Sequence, residues 1–245
     1  MKKFGLIGYP LSHSFSKKYF AEKFRQEGLT NYSYDLFELQ SITELPSLLE
    51  KESNLLGLNV TIPYKEVVIP YLDSLDNSAH KVGAVNVIRV DQGKLTGFNS
   101  DYYGFQASLE AIRRDITIQK ALVLGTGGAS KAVCAVLDNL GAETTLVSRT
   151  PKEGVMTYDD LKKANLVASA DLIVNTTPLG MYPKVMASPD ILYDSIENDT
   201  IAFDLIYNPE RTMFLQKARE QGAIISNGYK MLELQAEKSW EIWQS

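Results

Sequence analysis

The stretch ALVLGTGGASKAVCAVLDNLGAETTLVSR, residues 121–149, decides the fold of the second half of the chain. A short apolar segment leads into a glycine-rich turn, a helical pattern follows, and a second apolar segment ends the stretch. Gly125 permits a tight turn, Gly127 lets an anionic ligand approach the backbone, and the following helix N-terminus supplies amide donors. Because the glycines lie between a strand and a helix, the stretch predicts a dinucleotide-binding unit. The alternative is a tight turn without a nucleotide.

The end of the second strand indicates which dinucleotide is bound. An NAD site usually presents Asp or Glu to the ribose 2′-hydroxyl at this point. Ser148, Arg149 and Thr150 occur here instead. An arginine binds a 2′-phosphate through charge-assisted hydrogen bonds, whereas a carboxylate repels it, so the sequence favours NADP. A solvated surface arginine is the alternative.

Working outward, strands and helices alternate on both sides of this stretch. From residue 119 the alternation of short apolar strands with helices predicts a doubly wound parallel sheet of the Rossmann type. Residues 1–100 show a second, less regular α/β pattern, and an amphipathic helix ends the chain. We expect a substrate-binding domain of residues 1–100 plus 229–245 and a dinucleotide-binding domain of residues 101–228, with the C-terminal helix returning to the first domain.

Composition excludes several classes of protein. The chain has 245 residues, 44% of them hydrophobic and 22% charged, with a net charge of −5, which is typical of a soluble globular protein and unfavourable for nucleic-acid binding. Cys134 is the single cysteine, so an intrachain disulfide is excluded. The sequence shows no metal-ligand spacing, no apolar run of about 18 residues that could span a bilayer, and no signal-peptide pattern. We expect a cytoplasmic protein without membrane or nucleic-acid partners.

The stretch GLNVTIPYKE, residues 57–66, combines a strand pattern with polar side chains. Leu58, Val60 and Ile62 alternate as the buried face of a strand, which places Asn59 and Thr61 on the other face. A proline then ends the strand, and Lys65 follows at the predicted start of a helix, KEVVIPYL. The stretch therefore predicts a polar cluster at the end of a strand.

Other short polar residues lie at strand ends or helix starts of the first hundred residues. They are Ser14, Ser16, Asn86 and Asp101. The serines and Asp101 each have a structural explanation, the serines as helix N-caps and Asp101 as a dipole-compensating residue behind the predicted N-cap Ser100. Asn86 lies in an apolar, strand-like run, VGAVNVIRV, where a side-chain amide needs a hydrogen-bond partner or a cavity. Together with Asn59 and Thr61 they predict a binding site for a polyhydroxylated ligand, with Lys65 as its cation.

The motifs HSFS, GLNVTIPYK, GAVN, GFNSDYYGF, GTGGAS, SRT, NTTPLGM, DLIYNPERTMFL and NGYKMLELQA follow one another in the order and spacing of the shikimate dehydrogenase family. The resemblance extends from residue 5 to about residue 240, and the NVTIPYK segment is its most specific part. It implies an NADP-dependent oxidoreductase that interconverts 3-dehydroshikimate and shikimate in aromatic amino acid biosynthesis. Ser148 departs from the asparagine that is usual in the family.

The resemblance also implies roles for individual residues. Lys65 and Asp101 match the catalytic pair, although the sequence leaves open which of the two carries the proton. The matching substrate-binding positions are Ser14, Ser16, Asn59, Thr61, Asn86, Asp101, Tyr207 and Gln235. The matching cofactor-binding positions are Gly125, Thr126, Gly127, Gly128, Ala129, Ser130, Ser148, Arg149, Thr150, Thr176, Leu205 and Gly228.

Two other functions remain open at this stage. A quinate/shikimate dehydrogenase, or a paralogue for another hydroxylated cyclic acid, shares these motifs. A nucleotide-binding sensor without turnover is the second alternative, but it predicts loss of the Lys65–Asp101 pair, which the chain retains. The sequence does not distinguish a monomer from a homodimer.

Overall fold

The computed structural model describes residues 1–11, 15–113 and 115–245. The chain divides into two compact units, one formed by Met1–Tyr103 with Leu234–Ser245 and the other by Gly104–Glu233. Each unit contains one six-stranded sheet. No helix in the described part of the chain is long and apolar enough to cross a membrane.

The sheet of the first unit has the strand order β2-β1-β3-β5-β6-β4. Its strands are β1 (Lys2–Gly8), β2 (Tyr32–Glu38), β3 (Leu55–Val60), β4 (Ser74–Leu75), β5 (Val87–Asp91) and β6 (Lys94–Phe98). β1 pairs in parallel with β2 and β3, whereas β5 is antiparallel to both of its neighbours. The accompanying helices are α1 (Phe15–Gln26), α2 (Leu45–Lys51), α3 (Asn77–Val82), the start of α4 (Ser100–Arg113) and the end of α8 (Tyr229–Gln244).

The C-terminal helix packs on the first unit, which confirms the prediction. The Trp243 indole donates a hydrogen bond to the carbonyl oxygen of Ile88 in β5 at 3.0 Å. The Trp243 ring also stacks on Phe4 at 4.8 Å between centroids. A Cβ atom at Gly57 would lie 2.3 Å from the indole, so the helix approaches the sheet closely only because β3 has a glycine there.

Three local predictions in this unit are wrong. Ile62 is 73% exposed rather than buried, because β3 ends at Val60 and the chain has left the ladder by then. KEVVIPYL does not form an α-helix and contains only a 3₁₀ turn, Ile69–Tyr71, since a proline interrupts the segment. Ser100 is not the N-cap of α4, because the Asn99 side chain accepts the hydrogen bond from the Tyr102 amide at 3.1 Å.

The second unit contains the doubly wound parallel sheet that the sequence predicts. Its strands are β7 (Lys120–Leu124), β8 (Glu143–Ser148), β9 (Met156–Thr157), β10 (Leu172–Asn175), β11 (Ile201–Asp204) and β12 (Ile224–Ser226). They are parallel in the order β12-β11-β10-β7-β8-β9, which is the Rossmann order, with the chain reversing direction across the sheet between β7 and β10. The helices α5 (Gly128–Asn139), α6 (Tyr158–Ala164) and α7 (Met213–Glu220) alternate with the strands.

Candidate active site

Lys65 and Asp101 form an ion pair in the first unit, with 2.6 Å between Lys65 Nζ and Asp101 Oδ2. The lysine side chain is 21% exposed and the aspartate side chain 8% exposed. Partial burial weakens the screening of the pair by water, so the carboxylate holds the ammonium group in position. The ammonium remains accessible to a ligand.

The first turn of α4 holds Asp101 in this position. Asn99 caps the helix and donates its own side-chain amide to the Ala84 carbonyl oxygen at 2.9 Å, which anchors the helix start to the chain before β5. The partial positive charge of the helix N-terminus favours a carboxylate here. Asp101 can therefore both interact favourably with the dipole of α4 and form the ion pair with Lys65.

A network of buried amides and hydroxyl groups lies in the same unit. The Tyr34 hydroxyl donates to Asn59 Oδ1 at 2.8 Å, and Asn59 Nδ2 donates to Ser239 Oγ at 2.9 Å. Asn86 Nδ2 donates to Ser100 Oγ at 3.1 Å, and its Oδ1 accepts from the Ser100 amide at 2.6 Å. The two contacts of Asn86, which lies directly before β5, supply the hydrogen-bond partners that its side-chain amide needs in an apolar surrounding.

The remaining predicted substrate residues differ in their location and in their exposure to solvent. Ser16 lies in the first turn of α1, where its side chain hydrogen-bonds to Tyr34, and Thr61 follows β3 with a half-buried side chain. Gln235 lies on the half-buried part of α8, whereas Tyr207 belongs to the second unit and is 39% exposed. Ser14 lies outside the described residues.

Burial raises the pKa of the Tyr34 hydroxyl far above its usual value, and the hydrogen bond from Ser16 only partly opposes this effect. Tyr34 therefore stays protonated and remains a hydrogen-bond donor to Asn59 throughout the physiological pH range.

In the second unit, a cavity of about 360 Å³ lies at the carboxyl ends of β7, β8 and β10. Ligands bind at this edge of doubly wound sheets, where the strand order reverses. The residues that line this cavity are Gly125, Thr126, Gly127, Val147, Ser148, Arg149, Thr150, Lys152, Tyr158, Thr176, Thr177, Pro178 and Leu179. Most of the predicted cofactor residues are thus brought together in one cavity.

The glycine turn fits a dinucleotide pyrophosphate. Cβ atoms added at Gly127 and Gly128 would meet no atom within 4 Å, so the space beside the turn is free for a ligand. No side chain caps the N-terminus of α5 within the described residues, which leaves its amide groups available.

Gly125 has a φ of +111°, and a Cβ there would lie 2.7 Å from Thr176 Oγ1. Ser130 occupies the position of the third glycine in the general G-x-G-x-x-G pattern; it is 3% exposed and donates to the Gly127 carbonyl oxygen at 2.6 Å, so the packing of helix on strand accommodates its small side chain.

Two predicted cofactor residues, Leu205 and Gly228, contact each other beyond the ends of β11 and β12. A Cβ atom at Gly228 would lie 2.1 Å from the Leu205 carbonyl oxygen, so only glycine fits this position. The Gly228 amide donates to the Ile206 carbonyl oxygen at 3.1 Å. The start of α8 is thereby fixed to the segment that follows β11.

The predicted 2′-phosphate site contains a cation that the sequence did not indicate. Arg149 and Thr150 are exposed just beyond β8, and Ser148 is buried with its hydroxyl accepting from the Thr150 amide at 3.3 Å. Lys152 Nζ lies 3.0 Å from Thr126 Oγ1, so the chain after β8 folds back toward the glycine turn. Lys152 lies only two residues after Thr150, but no periodicity distinguished it from a surface lysine.

A doubly wound sheet with a glycine turn at its switch point and an arginine after the neighbouring strand belongs to the dinucleotide-binding class of α/β proteins. The first unit adds a partly buried lysine–aspartate ion pair.

Comparison with known proteins identifies the family. The family model described as shikimate dehydrogenase substrate binding domain matches residues 6–88. The shikimate dehydrogenase (NADP(+)) of Methanococcus aeolicus is 38% identical over 257 residues, covering 99% of this chain and 91% of the relative. The chain therefore belongs to the shikimate dehydrogenase family.

Solved structures agree with this assignment. A chorismate mutase/shikimate 5-dehydrogenase fusion protein from Clostridium acetobutylicum has a TM-score of 0.89 at 38% identity, covering 100% of this chain and 91% of that one. The shikimate 5-dehydrogenase of Thermus thermophilus, in complex with NADP(H) and shikimate, has a TM-score of 0.87 at 32% identity, covering 99% and 93% of the two chains.

Proposed function

We propose that this protein catalyses the reversible, NADP-dependent reduction of 3-dehydroshikimate to shikimate, a step of aromatic amino acid biosynthesis. The observation that carries the proposal is the ion pair between Lys65 and Asp101, 2.6 Å apart, in the unit that matches the family's substrate-binding domain. The names of the relatives, as NADP-dependent shikimate dehydrogenases, support the same activity.

The chemistry follows from what reduction of a ring ketone requires. When bound, NADPH supplies the hydride for the carbonyl carbon. The Lys65 ammonium stabilises the negative charge that develops on the carbonyl oxygen and provides the proton that converts it to a hydroxyl group. Asp101 orients that ammonium through the ion pair, and its second oxygen accepts a hydrogen bond from a substrate hydroxyl. Since protons can move between two groups 2.6 Å apart, we assign the acid–base function to the pair.

The amides and hydroxyl groups of the first unit provide the polar surface for the substrate. Asn59, Thr61 and Asn86 offer donors and acceptors to the ring hydroxyls, and Ser14 and Ser16 are proposed to bind the carboxylate, for which the Ser16 hydroxyl would turn from Tyr34 to the ligand. Tyr207 and Gln235 are proposed as further contacts on the resemblance to the family.

The glycine turn would hold the cofactor pyrophosphate on the backbone amides that precede α5, and Arg149 would hold the 2′-phosphate. Lys152 adds a second positive charge beside the same cavity. Thr176, Leu205 and Gly228 are proposed at the nicotinamide side of the cofactor.

Steady-state kinetics with two substrates and two cofactors test the specificity. We expect kcat/KM for shikimate with NADP⁺ to exceed the values for quinate with NADP⁺ and for shikimate with NAD⁺. A higher kcat/KM for quinate would instead identify the quinate-oxidising alternative.

A further inference from the structure

Protein groups surround the side-chain amide of Asn59. Its Oδ1 accepts from the Tyr34 hydroxyl at 2.8 Å. Its Nδ2 donates both protons, one to Ser239 Oγ at 2.9 Å and the other to the Asn86 carbonyl oxygen at 3.3 Å. Only one lone pair of Oδ1 remains without a partner in this set of contacts.

These contacts permit one orientation of the amide. Ser239 donates its single hydroxyl proton to the Gln235 carbonyl oxygen at 2.8 Å, so toward Asn59 it can only accept. The Asn86 carbonyl oxygen is likewise an acceptor. A rotated amide would face both acceptors with its own oxygen and lose two hydrogen bonds, so the nitrogen must point toward α8 and the oxygen toward Tyr34.

The two hydroxyl groups that impose this orientation are buried. Tyr34 is 5% exposed and Ser239 is 1% exposed, so both act on the side chain of Asn59 from within the protein. They come from β2 and α8, 25 and 180 residues away from Asn59 along the chain.

We propose that Tyr34 and Ser239 are positioning residues of the substrate site, which hold the Asn59 amide so that its oxygen accepts a hydrogen bond from a substrate hydroxyl. This inference rests on the proposed function and deepens it. Without either hydroxyl, Asn59 loses a partner, gains rotational freedom and binds the substrate more weakly. The chemical step at the Lys65–Asp101 pair is unaffected.

The test compares isosteric variants that delete single hydroxyl groups. Tyr34→Phe and Ser239→Ala should each raise KM for shikimate about five- to tenfold, the effect of one lost buried hydrogen bond. kcat should stay within about twofold and KM for NADP⁺ should not change, because neither residue acts on the chemical step or the cofactor.

Matched variants serve as controls. Tyr32→Phe removes a hydroxyl of the same strand that accepts a hydrogen bond from Lys2 Nζ at 3.1 Å and has no hydrogen bond to Asn59 among the described residues. Ser108→Ala removes a serine hydroxyl that is buried without a hydrogen-bond partner among the described residues. Both controls should retain the wild-type KM for shikimate. If Tyr34→Phe and Ser239→Ala match these controls while the wild type turns over shikimate, the positioning inference is overturned and the proposed function stands.

A double-mutant cycle separates positioning from general support of the fold. If Tyr34 acts through Asn59, Tyr34→Phe should have no further effect on KM in an Asn59→Ala background. A loss of the same size in that background would contradict the inference.

An NMR measurement remains decisive if the wild type does not turn over shikimate, an outcome that would refute the proposed function. The side-chain NH₂ signals of Asn59, assigned by their loss in Asn59→Asp, should exchange with solvent faster in Tyr34→Phe than in Tyr32→Phe. Equal exchange rates would overturn the positioning inference independently of activity.

Discussion

Lys65 is the residue on which the proposed chemistry depends most. Its ammonium is accessible and is held by a carboxylate that is only 8% exposed. Lys65→Ala removes the proton source and the positive charge beside the developing alkoxide but leaves the substrate-binding amides in place. We expect kcat to fall by several orders of magnitude and KM for shikimate to change by only a few fold.

A second ion-paired lysine of the same unit provides the control. Lys3 Nζ lies 2.5 Å from Glu52 Oε2 and is similarly buried, but it is not a predicted site residue. Lys3→Ala should therefore retain the wild-type kcat. Equal activities of Lys65→Ala and Lys3→Ala would exclude Lys65 from the mechanism.

Arg149 carries the predicted preference for NADP. Arg149→Ala should raise KM for NADPH about ten- to a hundredfold, the value of a charge-assisted hydrogen bond, and KM for NADH only about two- to threefold. Arg219→Ala, at an exposed site of the same unit, is the control. Equal effects on the two cofactors would remove the argument for phosphate recognition.

At the residue scale, the sequence predicted those groups that a local pattern marks. Arg149 follows a strand behind a glycine turn, and Asn59 interrupts an apolar alternation, so the sequence predicts both as site residues. Tyr34 and Ser239 were missed because their contacts with Asn59 cross 25 and 180 residues of chain and exist only after folding.

At the scale of elements, the two glycines Gly127 and Gly228, both predicted to bind the cofactor, differ in the space available for the methyl group of an alanine. Gly127→Ala places the methyl in free space and should leave stability unchanged while raising KM for NADPH, because the pyrophosphate needs that space. Gly228→Ala places it 2.1 Å from the Leu205 carbonyl oxygen and should lower the melting temperature.

Thermal melts and NADPH titrations of the two variants separate these effects. If Gly127→Ala binds NADPH like the wild type, the glycine turn does not hold the pyrophosphate. Gly141→Ala, in a left-handed turn with a φ of +73° away from the cavity lining, shows the cost of backbone strain alone.

The periodic elements were predictable and their ends were not. The alternation after residue 119 gave the parallel sheet correctly, since buried parallel strands and amphipathic helices have distinct periods. The predictions of a buried Ile62 and of a helix over KEVVIPYL were wrong. Apolar periodicity does not show at which residue a strand stops pairing with its neighbour. Pro63, three residues beyond the end of β3, was the available signal.

At the scale of the whole molecule, a buried carboxylate links stability to pH. Burial raises the pKa of Asp204 to about 6, although hydrogen bonds from Thr212, Ile206 and Asn175 oppose the shift. The folded protein therefore binds a proton that the unfolded chain, with a pKa near 3.8, has already released between these two values. The contribution of Asp204 to stability is largest below the unfolded pKa and is lost as the pH rises through about 6.

Asp204→Asn keeps the shape of the side chain and removes the titration. The free energy of unfolding of the wild type, relative to this variant, should be about 1.4 kcal/mol larger at about pH 5 than at about pH 8, which means that the wild type is relatively more stable at the lower pH. Urea denaturation followed by circular dichroism measures the difference. A constant difference between these pH values would show that Asp204 does not titrate in this range.

The most direct test of the proposed function is the absorbance of reduced nicotinamide after mixing the protein, shikimate and NADP⁺. We predict that the band rises with the wild-type protein, and that with Lys65→Ala its rate of rise falls by several orders of magnitude. No rise with the wild type, or an equal rise with Lys65→Ala, would contradict the assignment of this chain as a shikimate dehydrogenase that works through Lys65.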